Sequence, residues 1–212
     1  MIYSSLTTLQ IVFIVVASLV VSIIILLAIL IPVKLKRMKN NFNYVCYRKI
    51  YRLAMDKDYY LINNFLFRID DSHVGKIDHI LFGDKYIYII NDYYYGGDII
   101  GKEKDPSIVL INKEGKKNYE DNPIALTEKV MDKLCLVTGI DKSLMVGICL
   151  INSDCRCSVE SMSKTTYIIQ LNVFRKLIKA IESRDVGCIN KKQLASAVKA
   201  INKLNRRKRK NA

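Results

Sequence analysis

The sequence predicts an α/β domain, a mixed β-sheet flanked by helices, carried behind one transmembrane α-helix. Three observations lead there. Leu9 to Val33 is almost unbroken Ile, Val, Leu, Phe and Ala with no charged residue. Gly75 to Gly101 is rich in apolar and β-branched residues and is cut by Gly83-Asp84-Lys85 and by Gly96-Gly97, which reads as consecutive antiparallel strands joined by tight turns. Farther on, a helical pattern from Ile124 to Val137 is followed by the continuous apolar run Leu144 to Ile151, a strand buried on both faces, and that order gives a mixed sheet with helices packed on it.

As a helix, Ile11 to Ile31 is roughly 31 Å long at about 1.5 Å per residue, the thickness of a bilayer's hydrocarbon core. A cleaved signal peptide wants a basic start, a shorter apolar region and a small-x-small cleavage site, and none is evident. Pro32 closes the span, and Lys34, Lys36, Arg37 and Lys39 follow, whereas the N-terminal side carries no charged side chain. The positive-inside rule then places the N-terminus outside and the rest in the cytoplasm, a single-pass protein of the cell membrane. Ser18 and Ser22 have small-xxx-small spacing, but two serines in an apolar span are more often tolerated polar residues than a helix contact.

The chain divides into a short non-cytoplasmic N-terminus (1–8), the transmembrane helix (9–33), a basic juxtamembrane segment (34–56), one soluble domain (57–204) and a basic tail (205–212). The net charge of +14, from 34 Lys and Arg against 20 Asp and Glu, favours anionic partners, nucleic acid or acidic lipid. Lys34, Lys36, Arg37, Lys39 and the ending Arg206, Arg207, Lys208, Arg209 and Lys210 are the groups expected to meet them. Within the juxtamembrane segment, Val45, Tyr47, Ile50, Tyr51, Leu53 and Ala54 recur near helical spacing and predict an amphipathic helix packed on the sheet.

Tyr59 to Ile69 has strand composition and is followed by the turn-rich Asp70-Asp71-Ser72-His73. In the next strand, alternation places Lys76, Asp78 and Ile80 on one face and Ile77, His79 and Leu81 on the other. A carboxylate inside a strand is expensive unless it is paired, hydrogen-bonded or holding a metal, which makes Asp78 the first functional candidate. His79, directed away from it, reads as a satisfied structural residue. Tyr86, Tyr88, Tyr93, Tyr94 and Tyr95 fit ordinary strand propensity better than base stacking. The six cysteines show no C-x-x-C spacing; Cys155 and Cys157 form a lone C-x-C, so a zinc or disulfide framework is not expected.

Asp98 to Gly101 and Ser107 to Ile111 supply further strand, with a polar turn over 112–117. Asn122-Pro123 predicts an N-cap and a proline at the first helical position, Gly139 the stop, and Leu126, Val130, Met131, Leu134 and Cys135 the buried stripe. Beyond a polar loop, Tyr167 to Ile169 is a short strand. Asn172 is expected to cap a helix through Ile181, and Asn190 another through Leu204.

Taken together, Ile77-Asp78-His79-Ile80, the glycine-containing turn, Tyr86-Ile-Tyr-Ile-Ile90, Gly97-x-Ile99-x-Gly101, Glu103-Lys-Asp105 and Asn122-Pro123 resemble, in order, the NERD (nuclease-related) domain. The resemblance implies a restriction-endonuclease-like, PD-(D/E)-x-K fold. It also implies a site in which Asp and Glu on neighbouring strands hold Mg²⁺ and a Lys two residues later neutralises developing charge. Asp78 retains the first position, but Asn91 and Tyr93 stand where the family's Glu and Lys belong, and the usual Glu on the preceding helix has no counterpart. Asp92 and Lys76 are candidate substitutes, with Asp92 needing a bulge that shifts the strand by one residue. The resemblance therefore implies a degenerate nuclease-fold module that binds nucleic acid or a partner, or scaffolds, without a resident cofactor. The alternatives are an active nuclease using Mg²⁺ or Mn²⁺ with Asp78, Asp92 and Lys76, and a membrane-surface structural protein binding anionic lipid.

Overall fold

The computed structural model describes residues 8–68, 74–160 and 165–209, with side chains over 12–31, 41–68, 74–160 and 165–204. The Asp70 to His73 turn and Lys210 lie outside the described residues, and Lys34, Lys36, Arg37, Lys39 and Arg206 to Arg209 lie outside the described side chains. The chain forms two units, residues 1–41 and 42–212.

The first unit is helix α1 (Thr8–Asn40). Its stretch Val12–Ile31 has a mean hydropathy of 3.4 and no buried residue, long and apolar enough to cross a membrane. Ser18 and Ser22 satisfy their hydroxyls within the helix, donating to the carbonyls of Val15 and Ser18 at 2.8 and 2.9 Å.

The second unit begins with α2 (Phe42–Lys57) and continues through β1 (Tyr60–Arg68), β2 (Val74–Phe82), β3 (Ile87–Tyr93), β4 (Gly97–Lys102), β5 (Ser107–Asn112) and β6 (Lys117–Asp121). Then come α3 (Pro123–Thr138), β7 (Met145–Ile151), β8 (Cys157–Glu160), β9 (Thr166–Gln170), α4 (Phe174–Glu182) and α5 (Lys191–Arg209). The α/β class is as the sequence predicts, with the strands divided between two mixed sheets, ordered β1-β2-β3-β7-β9 and β6-β5-β4-β8. In the first sheet β1, β2 and β3 are antiparallel neighbours, while β3–β7 and β7–β9 are parallel. The connection from β3 to β7 includes α3, the long crossover that a parallel pair needs.

Alternation along the strands builds a core on each face of this sheet. Leu81, Tyr88, Ile90, Ile148 and Leu150 meet Cys46 and Ile50 of α2 and Phe174, Ile178 and Ile181 of α4. Ile80, Phe82, Ile87 and Ile89 meet Met131 and Leu134 of α3 and Ala197 and Ile201 of α5. β7 is buried along its whole length, which is why it reads as uninterrupted apolar sequence. Helix α2 is thus an integral part of the domain from Phe42 onward.

Local chemistry explains most boundaries. Asn122 caps α3, accepting from the Ile124 N–H at 3.0 Å, and its amide donates to the carbonyls of Lys102, Glu103 and Asp105 at 2.8 to 3.0 Å. One buried side chain therefore fastens the β4–β5 turn to the start of α3. Gly139 ends that helix at φ 71°, in the left-handed region open to glycine. The buried face of α3 is Ile124, Thr127, Met131 and Leu134, whereas Leu126 is exposed. Likewise Tyr51 is exposed on α2, because Phe42, Cys46 and Ile50 cover the sheet from the neighbouring stripe. Asn172 does not cap α4; a short 3₁₀ turn over Leu171–Val173 leads into it without a side-chain cap. β6 and β8 were not expected. β6 is exposed throughout, with no apolar alternation, and β8 lies in a polar stretch that becomes a strand only by pairing in parallel with β4.

Candidate functional site

The site forms where β2 and β3 part company. Their ladder runs from Phe82 opposite Ile87 to His79 opposite Ile90 and stops there. Past this point side chains replace backbone pairing: the Asp92 N–H donates to Asp78 Oδ2 at 3.0 Å, and the Asp78 N–H donates to Asn91 Oδ1 at 3.3 Å. β1 is distorted at the same level. Asn64 sits at φ 51° and, with Asp78 opposite it, drops out of a register otherwise continuous from Tyr60↔Phe82 to Arg68↔Val74. Asparagine is among the few residues other than glycine that adopt this conformation at modest cost.

The distortion corrects the expectation that Asp78 and His79 point to separate faces. Both line one cavity of about 430 Å³ together with Asn63, Asn64 and Tyr47. Ile77 accordingly joins the same core as Ile80 rather than the opposite one. The expectation for His79 as a satisfied residue agrees with its surroundings. It is 3% exposed, with Nδ1 2.7 Å from Asn63 Oδ1 and Nε2 2.9 Å from Asp92 Oδ2.

Asp78 is 7% exposed, and Lys76 Nζ lies 2.7 Å from its Oδ1, an ion pair whose geometry is not that of a hydrogen bond. Asp92 faces α2, where burial raises its carboxyl above the usual range and the His79 hydrogen bond opposes that rise. Cys46 of α2 lies against the same carboxyl. Its thiol is pushed well up, first by burial and then by the Asp92 charge, so it is held protonated.

Asn91 and Tyr93 occupy the other face of β3. Asn91 is 7% exposed and donates from Nδ2 to Thr127 Oγ1 of α3 at 3.2 Å, so both ends of its amide are engaged. Tyr93 packs toward Thr127 and stacks on Tyr95 with ring centroids 6.3 Å apart, and burial raises its hydroxyl pKa. The structure thus brings Lys76, Asp78, Asn91 and Asp92 together around the parted strands. It turns the Asp92 carboxylate to His79 and Cys46, and Tyr93 toward α3.

Thr127, Cys46 and Asn63 complete this network, and the sequence offered no sign of them. Thr127 lies one place from the expected apolar stripe of α3, and Cys46 read as a small hydrophobe. Among the strand tyrosines, Tyr88 and Tyr95 are buried and Tyr86, Tyr93 and Tyr94 pack against the cores. Tyr60 and Tyr119 are exposed, as are Tyr44 and Tyr51 of α2, which have Tyr47 between them.

A nuclease-like fold implies a divalent cation, and Mg²⁺ demands about six oxygen ligands in near-octahedral array, usually from one or two carboxylates plus phosphate and water. Here one Asp78 oxygen faces a lysine and the other receives an N–H, the Asn91 oxygen receives another, and the Asp92 carboxylate bonds a histidine. Among the described residues no three His, Cys, Asp or Glu side chains converge for a metal. These residues do not fit a resident Mg²⁺.

A larger cavity, about 630 Å³, lies along α5 and Tyr60, lined by Leu194, Val198 and lysine stems. It contains no acid, histidine or thiol and borders neither β2 nor β3.

No curated protein and no solved structure matches the chain. The family model described as the nuclease-related domain matches residues 44–151, a span that opens within α2, holds β2, β3 and α3, and ends with β7. With the motif order along the chain, the mixed sheet flanked by helices and Asp78 at the parting strands, that match places this protein in the NERD, nuclease-related domain, family.

Proposed function

We propose that this chain is a single-pass membrane protein whose NERD domain, on the cytoplasmic side, binds nucleic acid without cleaving it. One observation carries the loss of cleavage. At the position where the family's metal-binding Glu belongs, Asn91 is buried with both ends of its amide engaged, by the Asp78 N–H and by Thr127. A neutral amide held in this way offers neither charge nor a free ligand, and Tyr93 supplies no cation at neutral pH. The binding reading draws on the net charge of +14, since basic groups release counterions when they meet phosphates. Anchorage draws on the apolar stretch Val12–Ile31, and orientation on the lysines and arginine that follow it in sequence.

The test uses the full chain in nanodiscs of neutral lipid, titrated with labelled single-stranded and duplex DNA and RNA over a salt series. Binding that weakens steeply with salt and leaves the nucleic acid intact is the expected result. Absence of binding at low salt overturns the reading, and preference for anionic vesicles over any nucleic acid replaces it with a membrane-surface role. Cleavage in Mg²⁺ or Mn²⁺ that disappears in Asp78→Ala replaces it with a nuclease.

A further inference from the structure

The α2 face beside the parted strands has a composition that neither packing nor a nuclease site requires. Tyr44, Tyr47 and Tyr51 recur at helical spacing and form a ladder, with centroid distances of 6.3 and 5.7 Å and ring planes tilted by 41° and 40°. Tyr44 is 58% exposed and Tyr51 45%. Three large rings on one helix face, more open than a core position allows, form an aromatic platform. Arg48 lies over the Tyr44 ring, its guanidinium carbon 5.9 Å from the centroid, so a cation is held at the edge of that platform.

Tyr44 and Tyr47 form one wall of the 430 Å³ cavity, a volume within the roughly 300–1,000 Å³ range of small-ligand sites. Amides line the rest of it. Asn43 and Asn64 are exposed, and neither side chain hydrogen-bonds a described residue, so each offers both a donor and an acceptor. Asn64 reaches the cavity from its left-handed backbone position, the strained point on β1. Asp78 also lines the cavity, with a buried Oδ1 that has no hydrogen bond. Lys76 is paired with that oxygen at 2.7 Å, among the described residues no lysine or arginine lines the interior, and Arg48 beside Tyr44 is the cation left to attract a phosphate at the rim.

We infer that this cavity receives one unstacked base of a single-stranded nucleic acid. Tyr44 and Tyr47 are the stacking faces, the Asn43 and Asn64 amides meet the base edge, and Arg48 holds a flanking phosphate. The inference rests on the nucleic-acid reading above and names its substrate class. A lipid headgroup suits the cavity less well, because among the described residues no lysine or arginine lines it to receive the phosphate, and an acyl chain would strand the amides without partners. A duplex suits it no better, since its bases are already stacked on one another.

The experiment measures fluorescence anisotropy of the full chain in neutral-lipid nanodiscs with two labelled oligonucleotides of one length, a normal single strand and an abasic strand carrying the same phosphates. Wild type binds the normal strand more tightly. Tyr44→Ala with Tyr47→Ala weakens that binding by roughly tenfold or more, as for other stacked bases, and leaves the abasic strand unchanged. Tyr44→Phe with Tyr47→Phe keeps the rings and binds as wild type, which separates lost stacking from lost folding. Equal binding of normal and abasic strands overturns the base pocket while leaving the nucleic-acid reading in place. Failure of both strands to bind at low salt overturns the two together. Loss of anionic-vesicle binding in the alanine variant, with no discrimination between strands, assigns the tyrosines to the membrane surface and also overturns the pocket.

Discussion

His79 Nε2 lies 2.9 Å from Asp92 Oδ2, and the two side chains are 4% and 0% exposed. The Asp92 carboxylate, the candidate substitute for the missing glutamate, is therefore a buried group whose partner is a neighbour on β2. Removing the histidine leaves that carboxylate without its partner. His79→Ala is expected to destabilise the domain by about 1–3 kcal/mol, the cost of leaving a buried hydrogen-bonding group without its partner, measured by chemical denaturation.

The pH dependence of stability carries the sign of the Asp92 shift. Its folded pKa is raised, chiefly by burial, so between the unfolded value of about 3.9 and the folded one the native state holds a proton that the unfolded state has lost. Stability from this group falls as pH rises through that window and stays low above it. Asp92→Asn keeps the shape and removes the charge, so its melting temperature is expected to vary less across that window than wild type. An unchanged slope would remove Asp92 as the cause.

Asp78→Ala separates a structural from a catalytic carboxylate. Oδ2 receives the Asp92 N–H, and losing it leaves a partly buried donor unpaired, a cost of about 1–3 kcal/mol. The expected variant is less stable to that extent, and nuclease assays of wild type and variant in Mg²⁺ or Mn²⁺ both stay at background.

Asn122→Ala removes the cap of α3 and the anchor of the β4–β5 turn together. Caps alone are worth about 0.5–2 kcal/mol, and here three carbonyls also lose a donor, so a loss at or above the top of that range is expected in thermal or denaturant unfolding. Gly97→Ala tests the opposite end of the β4–β5 hairpin. A Cβ there would lie 2.0 Å from the Ile111 carbonyl oxygen, a backbone atom that cannot swing aside, and β4–β5 pairing is expected to weaken by at least about 1–3 kcal/mol.

Topology is tested by a cysteine placed at Ser4. A membrane-impermeant maleimide is expected to label Ser4→Cys from outside intact cells, while the exposed native Cys188 reacts only after lysis. The reverse pattern would invert the orientation.

What sequence alone determined was whatever depends on local pattern. The span Val12–Ile31, the Asn122 cap, the Gly139 stop, the buried β7 and the order of strands and helices are visible because hydrophobic period and capping chemistry act within a few residues. Family membership was legible for the same reason, since its motifs are short runs such as Ile77-Asp78-His79-Ile80. Tertiary structure decided what depends on non-local contact. β6 and β8 exist through pairing, not pattern, and Thr127 gains its role only because α3 lays it against Asn91. The pleat rule separated Asp78 from His79; the left-handed Asn64 on the neighbouring strand lets both line one cavity, and no alternation in β2 itself records that. The tyrosines show the same division. Strand propensity explained Tyr88 and Tyr95, whereas only packing shows that Tyr44 and Tyr51 of α2 remain open to solvent beside the site.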